Sequence, residues 1–409
     1  MTDGDLPARF AALFAELAAI GRDPASGTYR RLAWTDEDRA ARAWFGRAAA
    51  DRGLGTEPDR NGNLWAWWGG PGHGAVATGS HLDTVPNGGG WDGALGIVSA
   101  LIAVDELRGA GFEPARPIAI VAWIEEEGGR FGIPTLGSRL STGQVSPSDV
   151  LNRVDGHGVT MRSAMAGAGI DVARLGADPT TIGLLDAFVE LHVEQGRRLA
   201  PAGVSVGVGS EIWPHGRWRI RITGAPDHAG TTTLEDRRDA LLVLARGVIA
   251  ARLGARVAGG VATIGRVTVS PNVTNIVPGS VDASLDVRAP DEVAVASIVK
   301  GVNAALEDAG VEEGASVALD RESWSPAVLF DTDLRHRVES AMDRALVPWA
   351  PTATAAGHDA GTLAQVVPTA MLFVRNPTGA SHAPGERAEL DDAVAGVGAL
   401  VAVLAELAG

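Results

Sequence analysis

The chain has no cysteine and a single lysine. Without thiols there is no disulfide scaffold, thiolate zinc site, iron–sulfur cluster or cysteine nucleophile. The same absence leaves the redox compartment unmarked. A Walker A lysine, a pyridoxal-phosphate Schiff base or a lysine-bridged metal centre would each have to use Lys300. That residue sits in Val-Lys-Gly, inside an amphipathic stretch with no glycine-rich phosphate loop before it. Long apolar runs are missing too. The longest, from Ala393 to Ala405, has 13 residues and falls short of the ~20 that span a bilayer; it reads as a buried C-terminal helix. The opening carries Asp3 and Asp5 and no basic n-region, so no signal peptide is expected and a cytoplasmic protein is the default. Positive charge is in deficit, 35 basic against 50 acidic residues or −15 overall, which gives no field for phosphate backbones and makes nucleic acid an unexpected partner. Carboxylates, nine histidines, arginine and hydroxyls are left to carry any chemistry.

The 409 residues allow two or three domains. Phe10, Leu13, Phe14 and Leu17 are at helical spacing over 6–20, and Thr35 followed by three acids predicts a helix start running to about Asp51. Strands are predicted at Leu64–Trp68, Gly74–Ser80, Pro117–Ile124 and Ala187–Val193, with a helix over Ala94–Leu107. This alternation argues for an α/β domain with a mainly parallel sheet. Near residue 212 the texture changes. Trp218–Ile222 alternates, a helix follows at about 238–252, then strands at 261–269 and 279–287, a helix at 293–309 and a strand near 315–319. The β-α-β-β-α-β order is that of a ferredoxin-like α+β unit. After residue 328 come a helix at 331–345, a strand at 368–374 and the C-terminal helix. The expected organisation is a catalytic domain from 1–212 and 329–409, interrupted by an inserted domain at 213–328.

Four segments concentrate reactive side chains at predicted strand ends. In Gly79-Ser80-His81-Leu82-Asp83-Thr84-Val85-Pro86-Asn87-Gly88-Gly89-Gly90-Trp91-Asp92-Gly93, a buried strand delivers His81, with Asp83 placed to fix its tautomer. The glycines turn the chain so that Asp92 comes back at a helix N-terminus. A glycine-rich turn with a satisfied histidine is the bland alternative. Glu125-Glu126-Glu127-Gly128-Gly129-Arg130-Phe131 stacks three carboxylates after a buried strand, where a dication would relieve their repulsion; a solvated acidic turn is the alternative. In Glu190-Leu191-His192-Val193-Glu194-Gln195-Gly196, His192 lies on a strand with Glu190 and Glu194 on its face. Thr378-Gly379-Ala380-Ser381-His382-Ala383-Pro384-Gly385-Glu386 is a loop histidine motif. Together these match a two-metal hydrolase site with oxygen and nitrogen ligands.

The ordered set resembles the hydantoinase/carbamoylase branch of the di-metal aminoacylase and carboxypeptidase-like hydrolases, which holds N-carbamoyl-L-amino acid hydrolases, ureidopropionases and allantoate amidohydrolases. The likeness runs from about residue 35 to 390 and includes Gly224–Thr232, Arg237–Ala240 and Asn275–Arg288 of the insert. It implies that His81, His192 and a bridging Asp92 hold one divalent cation and that Glu127, His382 and the same Asp92 hold a second, with Zn, Mn, Co or Ni as candidates. It makes Glu126 the general base. Gln195, His228, Asn275, Arg288 and the Gly357-His358 pair match substrate positions. The insert becomes a lid and dimerisation domain, with His228 reaching across a homodimer interface. A histidine at position 192, followed by Glu-Gln-Gly, favours the carbamoylase branch over the peptidases. Gly129, where serine is common, and Trp91 depart from the pattern.

The implied reaction is hydrolysis of a ureido C–N bond by a metal-bridging hydroxide. Glu126 would handle the proton, His228 would stabilise the oxyanion and Arg288 would fork a substrate carboxylate. An aminoacylase or dipeptidase of the same clan is one alternative, and a non-catalytic metal- or ligand-binding relative is another. The remaining histidines, His73, His157, His215 and His336, are assigned to loops or surface.

Overall fold

A computed structural model describes residues 6–409. They form two compact units, one from the chain up to Glu211 together with Leu329–Gly409, the other from Ile212–Val328. The first is built on a sheet whose centre is four parallel strands. In spatial order these are Ile118–Trp123, Ala75–His81, Leu185–Val193 and Thr369–Val374. They are covered on both faces, which explains why their sequences are nearly continuous apolar runs. Antiparallel strands flank them, Leu64–Trp68 on one side and Val206–Ile212 on the other. The helices Ala94–Gly109 and Leu390–Ala408 share the main apolar core with this sheet. Thr35 caps the helix Asp36–Asp51 by accepting from the Asp38 main-chain N–H, as its sequence predicts.

Strands here without a counterpart in the sequence reading include Val206–Ile212, its neighbour Trp349–Thr354 and the short edge strand Gly55–Pro58. The first begins Val-Gly-Val-Gly, which reads as a loop. Its glycines are there because a Cβ at Gly207 would lie 2.6 Å from Thr352 Oγ1, and one at Gly209 would lie 2.9 Å from Met371 Cβ.

The second unit has a four-stranded antiparallel sheet in the order Ser316–Ser325, His215–Thr223, Ser280–Arg288, Val261–Ser270. Counted along the chain that is 4-1-3-2, the ferredoxin-like arrangement its element order predicts. Trp218, Ile220 and Ile222 lie beside Leu285, Ala283 and Val281 on adjacent strands, and with Val287 they form the apolar sheet face covered by the helices Ala240–Val257 and Glu292–Glu312. Asp239 and Asp291 cap those helices. The opposite sheet face is a ladder of ion pairs, Arg217–Asp286 at 3.2 Å, Arg219–Asp282 at 2.6 Å and Arg221–Asp320 at 2.5 Å. A separate two-stranded antiparallel ladder pairs Asp227–His228 with Ile276–Val277. Strands of two residues have no periodicity to read, so the sequence does not announce it. Among the described residues, no helix is long and apolar enough to cross a membrane.

Candidate active site

The parallel strands all present their C-terminal ends at one edge of the sheet, where sites of open α/β folds form. His81 is the last residue of its strand and His192 the penultimate residue of the next. The three glutamates follow Trp123, and the segment after Val374 leads to His382. Asp92, 3 % exposed, sits between these arms. Its Oδ1 lies 3.2 Å from His81 Nε2 and 3.0 Å from His192 Nε2. Its Oδ2 lies 3.4 Å from His382 Nε2, and that nitrogen is 3.2 Å from Glu127 Oε2. One carboxylate thus offers an oxygen to each of two donor sets, His81/His192 and Glu127/His382. In each set, counted with Asp92, one ligand atom per residue lies within 4.8 Å of the others.

Ring orientation follows from the main chain. His81 Nδ1 is 3.0 Å from the Asp83 carbonyl and His192 Nδ1 is 2.9 Å from the Val193 carbonyl. A carbonyl can only accept, so Nδ1 carries the hydrogen and the Nε2 lone pair of the neutral ring points at Asp92. This corrects the expected role of the Asp83 side chain, whose Oδ1 stands 3.7 Å from the ring. Its carboxylate instead accepts the main-chain N–H groups of Glu126 at 3.2 Å and Glu127 at 3.1 Å, and so shapes the acidic turn. Asp92 itself precedes the helix Ala94–Gly109 rather than beginning it, with Gly93 between them. Gly93 has φ +67°, and a Cβ there would meet the His81 ring at 2.6 Å.

The donor set suits divalent cations. His192 Nε2 and Glu127 Oε1 are buried without a hydrogen-bond partner. Carboxylates crowd the centre. Burial pushes Glu126 well above the usual range, with Asp359, Glu127 and Asp83 adding repulsion while His81 opposes it. Burial likewise raises Glu127, helped by Asp92. Burial disfavours charge on His81, yet Glu126 and Asp92 outweigh it and hold that ring's pKa well above the ordinary histidine value. Bonds to Asp92 and Glu127 push His382 up to about 10. A proton on these nitrogens and a cation beside them answer the same excess of negative charge.

Glu126 is 6 % exposed, its Oε2 3.8 Å from His81 Nε2. Glu125 turns away from the centre. Its Oε1 accepts from Arg130 N at 3.2 Å and Phe131 N at 2.9 Å, and burial raises it to about 8. Gln195 Nε2 is 2.6 Å from Asp92 Oδ2, while its Oε1 is buried and unpartnered. The His358 ring packs edge-on to His192 with centroids 4.5 Å apart, beside the exposed Gly357. Burial and the neighbouring His192 hold His358 well below the ordinary histidine pKa. Glu194 leaves the His192 face and accepts from the Arg198 and Leu199 main chain.

In the second unit His228 and Asn275 come together. His228 pairs with Ile276 in the small two-stranded ladder, Ala229 N donates to the Asn275 carbonyl at 3.0 Å, and both side chains are exposed. Arg288 ends the strand Ser280–Arg288, its Nε 2.9 Å from Asp286 Oδ1. His73, His157 and His336 are exposed. His215 departs from the loop-or-surface assignment. It opens a strand opposite Arg288 and is half-buried, and desolvation with the Arg288 charge lowers its pKa.

Three buried carboxylates around the centre had no role from sequence. Glu190 accepts from Ser80 Oγ and Ala360 N, both at 2.9 Å, and Asp359 accepts from Ser138 Oγ. Glu386 accepts from Trp91 N at 3.0 Å, Asp92 N at 2.9 Å and His382 N at 3.3 Å. Burial and the nearby Asp92 raise Glu386 to about 7. Its place four residues after His382, in a glycine- and proline-rich loop, is the signal that could have marked it.

Residues 77–406 match the family model for peptidase family M20/M25/M40. The allantoate amidohydrolase of Escherichia coli is 33 % identical, covering 96 % of each chain. An N-carbamoyl-L-amino-acid amidohydrolase of Paenarthrobacter aurescens is 34 % identical, again over 96 % of each. Among solved structures, a hydantoinase/carbamoylase family amidase from Burkholderia ambifaria superimposes with a TM-score of 0.88 at 33 % identity, covering 98 % of both chains. With an amidase-like fold carried through nearly its whole length, the chain belongs to peptidase family M20/M25/M40 and, within it, to the hydantoinase/carbamoylase amidases, hydrolases of C–N bonds.

Proposed function

We propose that the protein hydrolyses the ureido C–N bond of a small carboxylate, an N-carbamoyl-L-amino acid or allantoate, releasing ammonia and carbon dioxide. The observation that carries this is Asp92, whose two oxygens each face a separate pair of nitrogen and carboxylate donors. His81, His192 and Asp92 would hold one cation, and Glu127, His382 and Asp92 the other. Two bound divalent cations, Zn, Mn, Co or Ni, supply Lewis acidity and make an attacking water acidic near neutral pH. Glu126 accepts the proton from that water and delivers it to the leaving nitrogen. The carbamate left behind breaks down to the amine and carbon dioxide. The unpartnered Oε1 of Gln195 is an acceptor suited to a ureido N–H, and the His358 Nε2, on the ring packed against His192, is a second buried, unpartnered polar atom.

The substrate carboxylate is assigned to Arg288, His228 and Asn275, with His228 also facing the developing oxyanion. Arg288 and the His228–Asn275 pair lie off opposite ends of the strand Ser280–Arg288. Arg288 ends this nine-residue strand, and the two-stranded ladder carrying His228, with Asn275 beside it, lies beyond its start, a separation of roughly 25 Å at about 3.3 Å per residue. One copy of this unit therefore does not bring both ends to one small carboxylate. We assign Arg288 to its own chain's substrate, and His228 with Asn275 to that of a second copy in a homodimer. The helix Ala240–Val257 supports a second copy: Leu241, Leu242, Val248, Ile249 and Leu253 are all exposed, and it neighbours the edge strand Val261–Ser270.

Ammonia release from N-carbamoyl-L-amino acids, 3-ureidopropionate and allantoate, and free amino acid release from N-acyl amino acids and dipeptides, with metal content measured on the same sample, test the reading. Turnover of ureido substrates, lost on chelation and restored by divalent cations, is the expected result. Turnover of acyl or dipeptide substrates alone, or activity untouched in metal-free protein, would overturn it.

A further inference from the structure

Strands fix His81 and His192. His382 has no such support. It lies in the loop after Val374, with a left-handed φ of +54° and a side chain 48 % exposed. Asp92 also lies outside regular structure, after a run of three glycines. Glu386 joins these two loops, which lie 294 residues apart measured from Asp92 to Glu386. It is 5 % exposed, and each of its oxygens accepts on a different side. Oε1 takes the N–H groups of Trp91 and Asp92, and Oε2 takes the N–H of His382.

We propose that Glu386 is a positioning residue that ties the Asp92 and His382 loops together and so builds the Glu127/His382 donor pair in particular. This rests on the two-cation reading above. The geometry makes glutamate specific at this position. In Glu386→Gln, whichever way the amide turns, its NH2 group must face a main-chain N–H. Keeping Oε1 on the two donors of Trp91 and Asp92 turns the NH2 against His382 N–H, so the His382 loop is the one released.

The test is calorimetric titration of the metal-free protein with Mn²⁺ or Zn²⁺, alongside kcat and KM and a thermal melt. Two binding events are expected for the natural chain. In Glu386→Gln one event should persist and the other weaken about 10- to 100-fold, with kcat falling over a similar range and KM nearly unchanged. Asp178→Asn, a buried carboxylate that accepts from Thr181 N in another loop, should leave both events intact. If Glu386→Gln melts early, Gly89→Ala decides. An alanine Cβ there would lie 2.6 Å from Glu386 Cβ and Oε1, displacing the carboxylate without removing it, and should weaken the same event. Two unaltered events in both variants would overturn the proposal and leave the two-cation reading standing. A natural chain that binds no dication would overturn that reading itself.

Discussion

Between residues 212 and 328 every buried side chain among the described residues is apolar, whereas the other unit buries Arg31, Asp38, Asp83, Asp92, Glu125, Glu126, Glu190, Glu194, Asp359, Glu386 and more. The smaller unit keeps its charges outside, paired across strands in the Arg217, Arg219 and Arg221 ladder. Exposed pairs of that kind contribute little to stability, and the fold there rests on the alternating apolar face and two capped helices. In the larger unit buried carboxylates cost desolvation and are retained where a cation, an imidazole or main-chain N–H groups answer them. The contrast separates a unit organised for chemistry from one organised for packing and presentation.

The sharpest way to break this contrast is to remove one buried carboxylate that donates nothing to packing. Glu126→Gln should lower kcat by roughly 10³-fold or more while leaving the fold and metal content unchanged. Full activity in that variant would remove the proposed base. Asp38 sharpens the comparison away from the reacting atoms. Burial raises its pKa to about 6, against the attraction of Arg42 and Arg31. A folded-state pKa above the unfolded value means that the proton stabilises the fold below about pH 4, and that this contribution, at most about 3 kcal/mol, is lost as pH rises through about 6. Denaturation midpoints of Asp38→Asn should therefore gain on the natural chain between those limits; parallel profiles would show that Asp38 does not titrate with folding. The smallest effect belongs to the ladder. Arg219→Ala should change stability by less than about 1 kcal/mol, and the difference should shrink with added salt. A loss of several kcal/mol would mean that the smaller unit depends on its charges after all.

Much of this was legible because it is local. The helices Leu6–Ala18 and Thr332–Arg344 and the strand Ser280–Arg288 show their period directly in their residues. The side chains around Asp92 were visible for a related reason, since each lies in a short segment at a strand end. What escaped depends on distant chain coming close. Gly207 and Gly209 suit a strand only because Thr352 and Met371 press against it. The carboxylates of Asp83 and Glu386 serve main-chain N–H groups at Glu126 and Asp92, and a main-chain donor leaves no mark in a sequence. His215 looked like a loop residue until register set it opposite Arg288.

The strand Ser280–Arg288 carries a further constraint, one of parity. Its side chains alternate between core and exterior, with Val281, Ala283, Leu285 and Val287 inward. Adding one residue within it would reverse the sides of all that follow, turning apolar groups to water and Asp286 towards the helices. Adding two would spare the core but carry Arg288 about 7 Å further from the ladder that bears His228. Length in this strand can therefore vary only by even steps, and each even step resets the reach between the arginine at one end and the histidine beyond the other.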